Sequence, residues 1–99
     1  MRVLMKVSIP AESGNKAIKD GSLPKTVMGF IEQMKPEATY FTLENGNRTS
    51  MFIFDLKDPS MMPAAGEAFF MNLGASISMT PIMTLDDLKT GLERITKTS

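Results

Sequence analysis

Apolar and polar residues alternate from Arg2 to Ile9, with Val3, Met5 and Val7 on one parity and Leu4, Lys6 and Ser8 on the other, and Pro10 follows. A period of two with frequent β-branched residues predicts a first strand that stops at this proline. From Ala11 to Lys35 the period lengthens to that of a helix, with a break expected across Asp20-Gly21-Ser22-Leu23-Pro24. Beyond the break, Val27, Phe30, Ile31 and Met34 stand at i, i+3, i+4 and i+7, a single apolar stripe, and Pro36 ends the helix. Ala38 to Leu43 and Ser50 to Leu56 read as the second and third strands. Asn45-Gly46 between them is a type I′ turn signal, so these two strands are predicted to pair antiparallel.

Asp58-Pro59-Ser60 opens the next helix, with Asp58 or Ser60 as its cap, a body running to about Leu73, and Gly74 as the stop. Ser76 to Met83 reads as a fourth strand. Thr84 then caps a last helix, with Asp87 as its capping-box partner and a narrow stripe of Leu85, Leu88, Leu92 and Ile95. The order is β-α-β-β-α-β plus a C-terminal helix, which predicts an α+β, ferredoxin-like sandwich in a single domain over 1–99.

In a two-layer sandwich the helices cover one sheet face and the other is polar. The third strand instead reads Met51-Phe52-Ile53-Phe54, large apolar residues pointing both ways. The fourth carries Ile77 and Met79 on one parity with Ile82 on the other, and the first sets Leu4 against Val3 and Met5. An uncovered apolar sheet marks an interface, and its simplest cover is a second copy in a two-fold dimer. The alternative is that the C-terminal helix folds back over it, although its stripe spans only part of a four-stranded sheet.

Composition narrows the chemistry more than the fold. Eleven basic and eleven acidic residues cancel, which leaves no excess to neutralise phosphates and argues against a nucleic-acid partner. The aromatic RNA-binding motif is met between Arg48 and Asp55 only at Arg48, Phe52 and Ile53. The chain has no Cys and no His, which removes disulfides, thiolate nucleophiles, imidazole acid–base catalysis and the usual zinc and haem ligands. Asp86-Asp87 reads as a first-turn complement to the helix dipole, so no metal and no cofactor is expected. Lys6 interrupts the N-terminal apolar run, too early for a signal peptide, and no run is long enough to span a membrane. These features lead us to expect a cytoplasmic protein with no membrane partner.

The run Lys35-Pro36-Glu37-Ala38-Thr39-Tyr40-Phe41, then Glu44-Asn45-Gly46-Asn47-Arg48-Thr49, then Phe54-Asp55-Leu56-Lys57-Asp58, resembles a set of small uncharacterised bacterial proteins of the ferredoxin-like dimeric α/β-barrel superfamily. The resemblance spans nearly the whole chain and rests on turn and strand signals. It implies a homodimer with a pocket between each subunit's sheet and helices. Wider members of the group include cofactor-free monooxygenases of polyketide aromatics, muconolactone isomerase and haem-degrading enzymes. Several of these rely on a His that this chain lacks, so only fold and dimer carry over, and no catalytic residue does.

The residues themselves offer four candidates. Glu67 is the only charged residue between Asp58 and Asp86, set among alanines and phenylalanines, where a carboxylate can act as a general base. Tyr40, the only tyrosine, and Asn72 have groups able to stabilise an oxyanion, and Lys6 is a fourth ligand-binding candidate. Each also has a plainer reading: a solvent-facing charge for Glu67, a core aromatic for Tyr40, a helix terminator for Asn72 and a snorkelling amine for Lys6. Ten methionines suggest core filling at Met28, Met34, Met51 and Met79, or a plastic lining for flat apolar ligands. The chain is therefore expected to be a homodimer that binds a small, largely apolar molecule. A cofactor-independent oxygenase or isomerase acting on a small aromatic or polyketide-like substrate is the second reading, and a purely structural or interaction dimer the third.

Overall fold

The structure is a computed structural model and describes residues 1–98. Its elements are β1 (Arg2–Ile9), α1 (Ala11–Asp20), α2 (Ser22–Met34), β2 (Ala38–Glu44), β3 (Asn47–Asp55), α3 (Met61–Leu73), β4 (Ser76–Pro81) and α4 (Leu85–Thr98). The strands form one antiparallel sheet in the order β2-β3-β1-β4, so the fold is α+β with the first strand at its centre.

The break in the first helical region is a single residue, Gly21, whose left-handed backbone ends α1 and starts α2. Asn45 and Gly46 both take positive φ, as a type I′ turn requires. That turn pairs Leu43 with Arg48, and the ladder begins at Glu44–Asn47. For this reason β3 starts at Asn47, three residues before the expected Ser50. β4 ends at Pro81 rather than Met83, with one further bond from the Ile82 amide to the Arg2 carbonyl at 3.1 Å. Before α3, the Asp58 carboxylate accepts hydrogen bonds from the Ser60 amide and hydroxyl, at 2.8 and 2.6 Å, and so shapes the turn into the helix.

Alternation sets the two faces of the sheet. Val3, Met5, Val7 and Ile9 of β1 and Phe52 and Phe54 of β3 point into the core, where Ala17, Val27, Phe30, Ala65, Phe69 and Leu73 of the helices meet them. Phe30 lies at the centre of an aromatic cluster, 4.4 Å from Phe52, 5.4 Å from Phe69 and edge-on to Phe54 at 5.6 Å. Of the four methionines expected to fill the core, Met34 and Met79 pack against it, Met51 lies half-buried on the opposite sheet face, and Met28 is exposed. Met28 follows Val27 by one position, which turns it about 100° away from the buried stripe. Met5 is the methionine that is fully buried.

The second sheet face has no helix over it. It displays Leu4, Ala38, Tyr40, Met51 and Ile53 towards one end, and Lys6, Ser8, Thr42, Glu44, Thr49, Ser76 and Ser78 towards the other. Its apolar character thus comes from β1, β2 and β3, while β4 contributes serine and threonine. α4 does not fold back over this face: it makes only marginal contact with the other elements, and Leu85, Leu88 and Leu92 remain exposed. The molecule measures 57 × 27 × 18 Å.

With so little packing, α4 depends on its cap. The Asp87 carboxylate accepts from the Thr84 amide at 3.0 Å, and the Asp87 amide donates to the Thr84 hydroxyl at 3.1 Å, the reciprocal box anticipated from sequence. The Thr84 backbone bond, followed by its side chain, holds the Asp87 carboxyl below the usual range. A depressed carboxyl stabilises the folded state above its unfolded pKa of about 3.9, and this contribution disappears as pH falls through the lower folded value. Acidification from pH 6 to pH 2.5 is therefore expected to move the 13Cα shifts of Asp86–Leu88 towards random-coil values. Asp87→Asn is expected to show much of that movement at neutral pH, and unchanged shifts in both experiments would refute the role of the cap.

Candidate functional site

The four sequence candidates occupy three different surfaces. Lys6 and Tyr40 lie on the bare sheet face on either side of Met51, because Met51 pairs with Lys6 in β1 and with Tyr40 in β2. The Lys6 ammonium reaches both carboxylate oxygens of Glu44 at 3.3 Å, a partly exposed ion pair at the polar end of that face. Tyr40 is 59% exposed, so it is not a core aromatic. Its position on edge strand β2 and on the uncovered face explains the difference.

Glu67 is exposed on α3, beside a groove of about 330 Å³ that it lines with Met62, Gly66, Phe70, Ile77 and Met79. Asn72 lies around the helix on another side, where its amide donates to the Thr26 hydroxyl at 3.2 Å. Thr26 in turn donates to the Ser22 carbonyl at 2.7 Å, which ties α3 to the first turn of α2. A groove of about 470 Å³ runs between these two helices past Gly29, Gln33, Ala64 and Ala68. Five positions along a helix amount to about 500°, so Glu67 and Asn72 face directions about 140° apart. Glu67, Tyr40 and Asn72 are not brought together within one chain.

A fourth surface brings together residues that none of those candidates included. On β2, Thr39, Phe41 and Leu43 share the parity that faces the helices, but β2 is an edge strand and the helix layer barely reaches it. Phe41 is 62% exposed and Leu43 78%, although both point to the core side. With Leu23 at the start of α2 and Ile9 at the end of β1, they wall a groove of about 350 Å³ between sheet and helices. Its lining includes Arg48 and Ser50, the β3 partners of Leu43 and Phe41.

Arg48 is held in place by close approach. Its Nη2 donates to the Asn15 side-chain oxygen of α1 at 2.9 Å. Its Nη1 lies over Gly14, only 2.7 Å from where a Cβ would stand, so the guanidinium occupies room that any larger residue would take. Arg48 belongs to none of the ion pairs found among the described residues, which join Met1 to Asp55, Arg2 to Glu37 and Lys6 to Glu44. Ser50 is 4% exposed, and no hydrogen-bond partner of its hydroxyl occurs among the described residues. The groove therefore has apolar walls, hydroxyls from Thr42, Thr49 and Ser50, and one guanidinium without an acidic partner. The signal was present in the sequence: the Asn45-Gly46 turn fixes Leu43 opposite Arg48 and Phe41 opposite Ser50.

Among the described residues, no group of three or more acidic side chains comes together as a metal site, and no helix is long and apolar enough to cross a membrane. No protein-family model matches the chain, and no curated protein matches it.

Proposed function

We propose that this protein is a ferredoxin-like α/β-barrel homodimer that binds a small, largely apolar molecule between the sheet and helices of each subunit. The observation that carries the binding reading is the β2–α2 groove, where Phe41 and Leu43 face the helix layer yet stay mostly in solvent. Large apolar side chains in a concave site of a few hundred Å³ are what a small-molecule site requires. The dimer is supported by the bare sheet face, whose Leu4, Tyr40, Met51 and Ile53 have no cover within the chain. The exposed leucines of α4 add apolar surface available to the same association.

Binding is favoured over catalysis by what the groove contains. Its side chains are apolar, hydroxyl or guanidinium groups, with no carboxylate to take a proton. The oxygenase or isomerase reading needs Glu67, Tyr40 and Asn72 around one substrate, and they lie on separate surfaces.

Native mass spectrometry, paired with titration of the fluorescent probe 1-anilinonaphthalene-8-sulfonate, tests this reading. The wild type is expected to appear as a dimer and to enhance probe fluorescence. Leu43→Asp, at a solvent-facing position the fold tolerates, is expected to remain dimeric and lose most of the enhancement. Equal enhancement by wild type and Leu43→Asp would remove the groove from this role, and a monomeric wild type would remove the dimer.

A further inference from the structure

We propose that the β2–α2 groove takes a small amphipathic monocarboxylate, its apolar body between Phe41, Leu43, Leu23 and Ile9 and its carboxylate paired with Arg48. This rests on the reading of that groove as the ligand site and assigns the ligand its charge. A guanidinium presents five N–H donors in a planar fork that matches a carboxylate, and the one bond recorded for Arg48 goes to the neutral amide of Asn15. The chain places an asparagine at this contact, so the positive charge is positioned without being neutralised. The glycine at position 14 has the same effect, because it leaves the space in which the guanidinium rests.

The Ser50 hydroxyl supplies the second, independent observation. Ser50 lies on the groove wall next to Arg48 on the same face of β3, with its hydroxyl still open to the groove and without a hydrogen-bond partner among the described residues. A polar group left so placed is satisfied when a ligand oxygen arrives. One cation in an otherwise uncharged groove suits a singly charged head. A phosphate dianion would leave one of its two negative charges without a cation in the groove.

The test is an amide-resolved NMR titration of the full chain with octanoate and, in parallel, with octan-1-ol, which has the same apolar body and no charge. Octanoate is expected to bind about ten-fold more tightly than octan-1-ol, the order of a charge-assisted hydrogen bond, with shifts centred on Leu43, Arg48 and Ser50. Arg48→Met is expected to bring octanoate down to the level of octan-1-ol, with a much larger loss for octanoate than for octan-1-ol. Gly14→Ala, which keeps the arginine but displaces its flexible end, is expected to weaken octanoate selectively and so reports on charge position in a chain that retains every groove residue. Equal affinity of the wild type for the two ligands, or an unchanged ratio in both variants, would overturn the carboxylate assignment and leave the apolar groove standing. Failure of both ligands to shift Leu43, Arg48 and Ser50 would overturn the assignment and the groove reading together.

Discussion

Replacing Phe52 with alanine is expected to lower the unfolding free energy by about 3–5 kcal/mol, read as a large fall in the urea midpoint. Phe52 is fully buried and sits in the middle of β3, opposite Met5 in β1. Its ring lies against Phe30 of α2 and within 5.8 Å of Phe69 of α3, so it joins sheet and both helices at one point. Truncation removes apolar contact on every side and leaves a cavity that two helices and a central strand cannot easily close. A domain of this size has a total stability of about 5–15 kcal/mol, so the variant should be marginal or unfolded at 37 °C. Phe70→Ala is the control: it lies on the same helix as Phe69 but is partly exposed, and its loss is expected to cost about 1 kcal/mol or less. If the two substitutions shift the midpoint equally, the aromatic cluster is not the centre of the core.

The same cluster shows why the fold was largely readable and the site was not. β1 alternates cleanly, α2 carries one stripe, and Asn45-Gly46 fixes a register, so each local pattern agrees with the sheet order that results. α3 has no such stripe. It is apolar almost all round, with Met62, Phe70 and Met71 exposed beside buried Ala65, Phe69 and Leu73, so its sequence does not reveal which way Glu67 points. Residues adjacent in a helix lie about 100° apart, and the alanines around Glu67 in sequence therefore do not enclose it in space. Tyr40 misled for a different reason: alternation assigns it to a face but does not say that the face is uncovered. The sequence does not single out Arg48 because its partners Gly14 and Asn15 are more than thirty positions away, a contact that exists only once β1 has brought α1 over the end of β3. Exposed Phe41 and Leu43 followed from β2 lying at the edge, a property of sheet order and not of the strand's own sequence.

Ile53→Glu is expected to convert the proposed dimer to a folded monomer. Ile53 lies in the apolar part of the bare face, paired with Leu4 on one side and Ala38 on the other. In a two-fold interface the substitution appears twice, once from each copy, so two carboxylates lose water where apolar surface was to be buried. The desolvation cost of each charge is several kcal/mol, comparable to what a modest interface gains in total. Within one chain the cost is small, because the face is already open to solvent and the glutamate stem can lie along the sheet with its head in water. Light scattering after gel filtration should therefore fall from the mass of two chains to about one, with the far-ultraviolet circular dichroism retained. Met71→Glu, on an exposed position of α3 in the helix layer that covers the opposite sheet face, is expected to remain dimeric. An Ile53→Glu protein that stays dimeric would transfer the interface to another surface, and the exposed leucines of α4 would be the next to test by the same substitution.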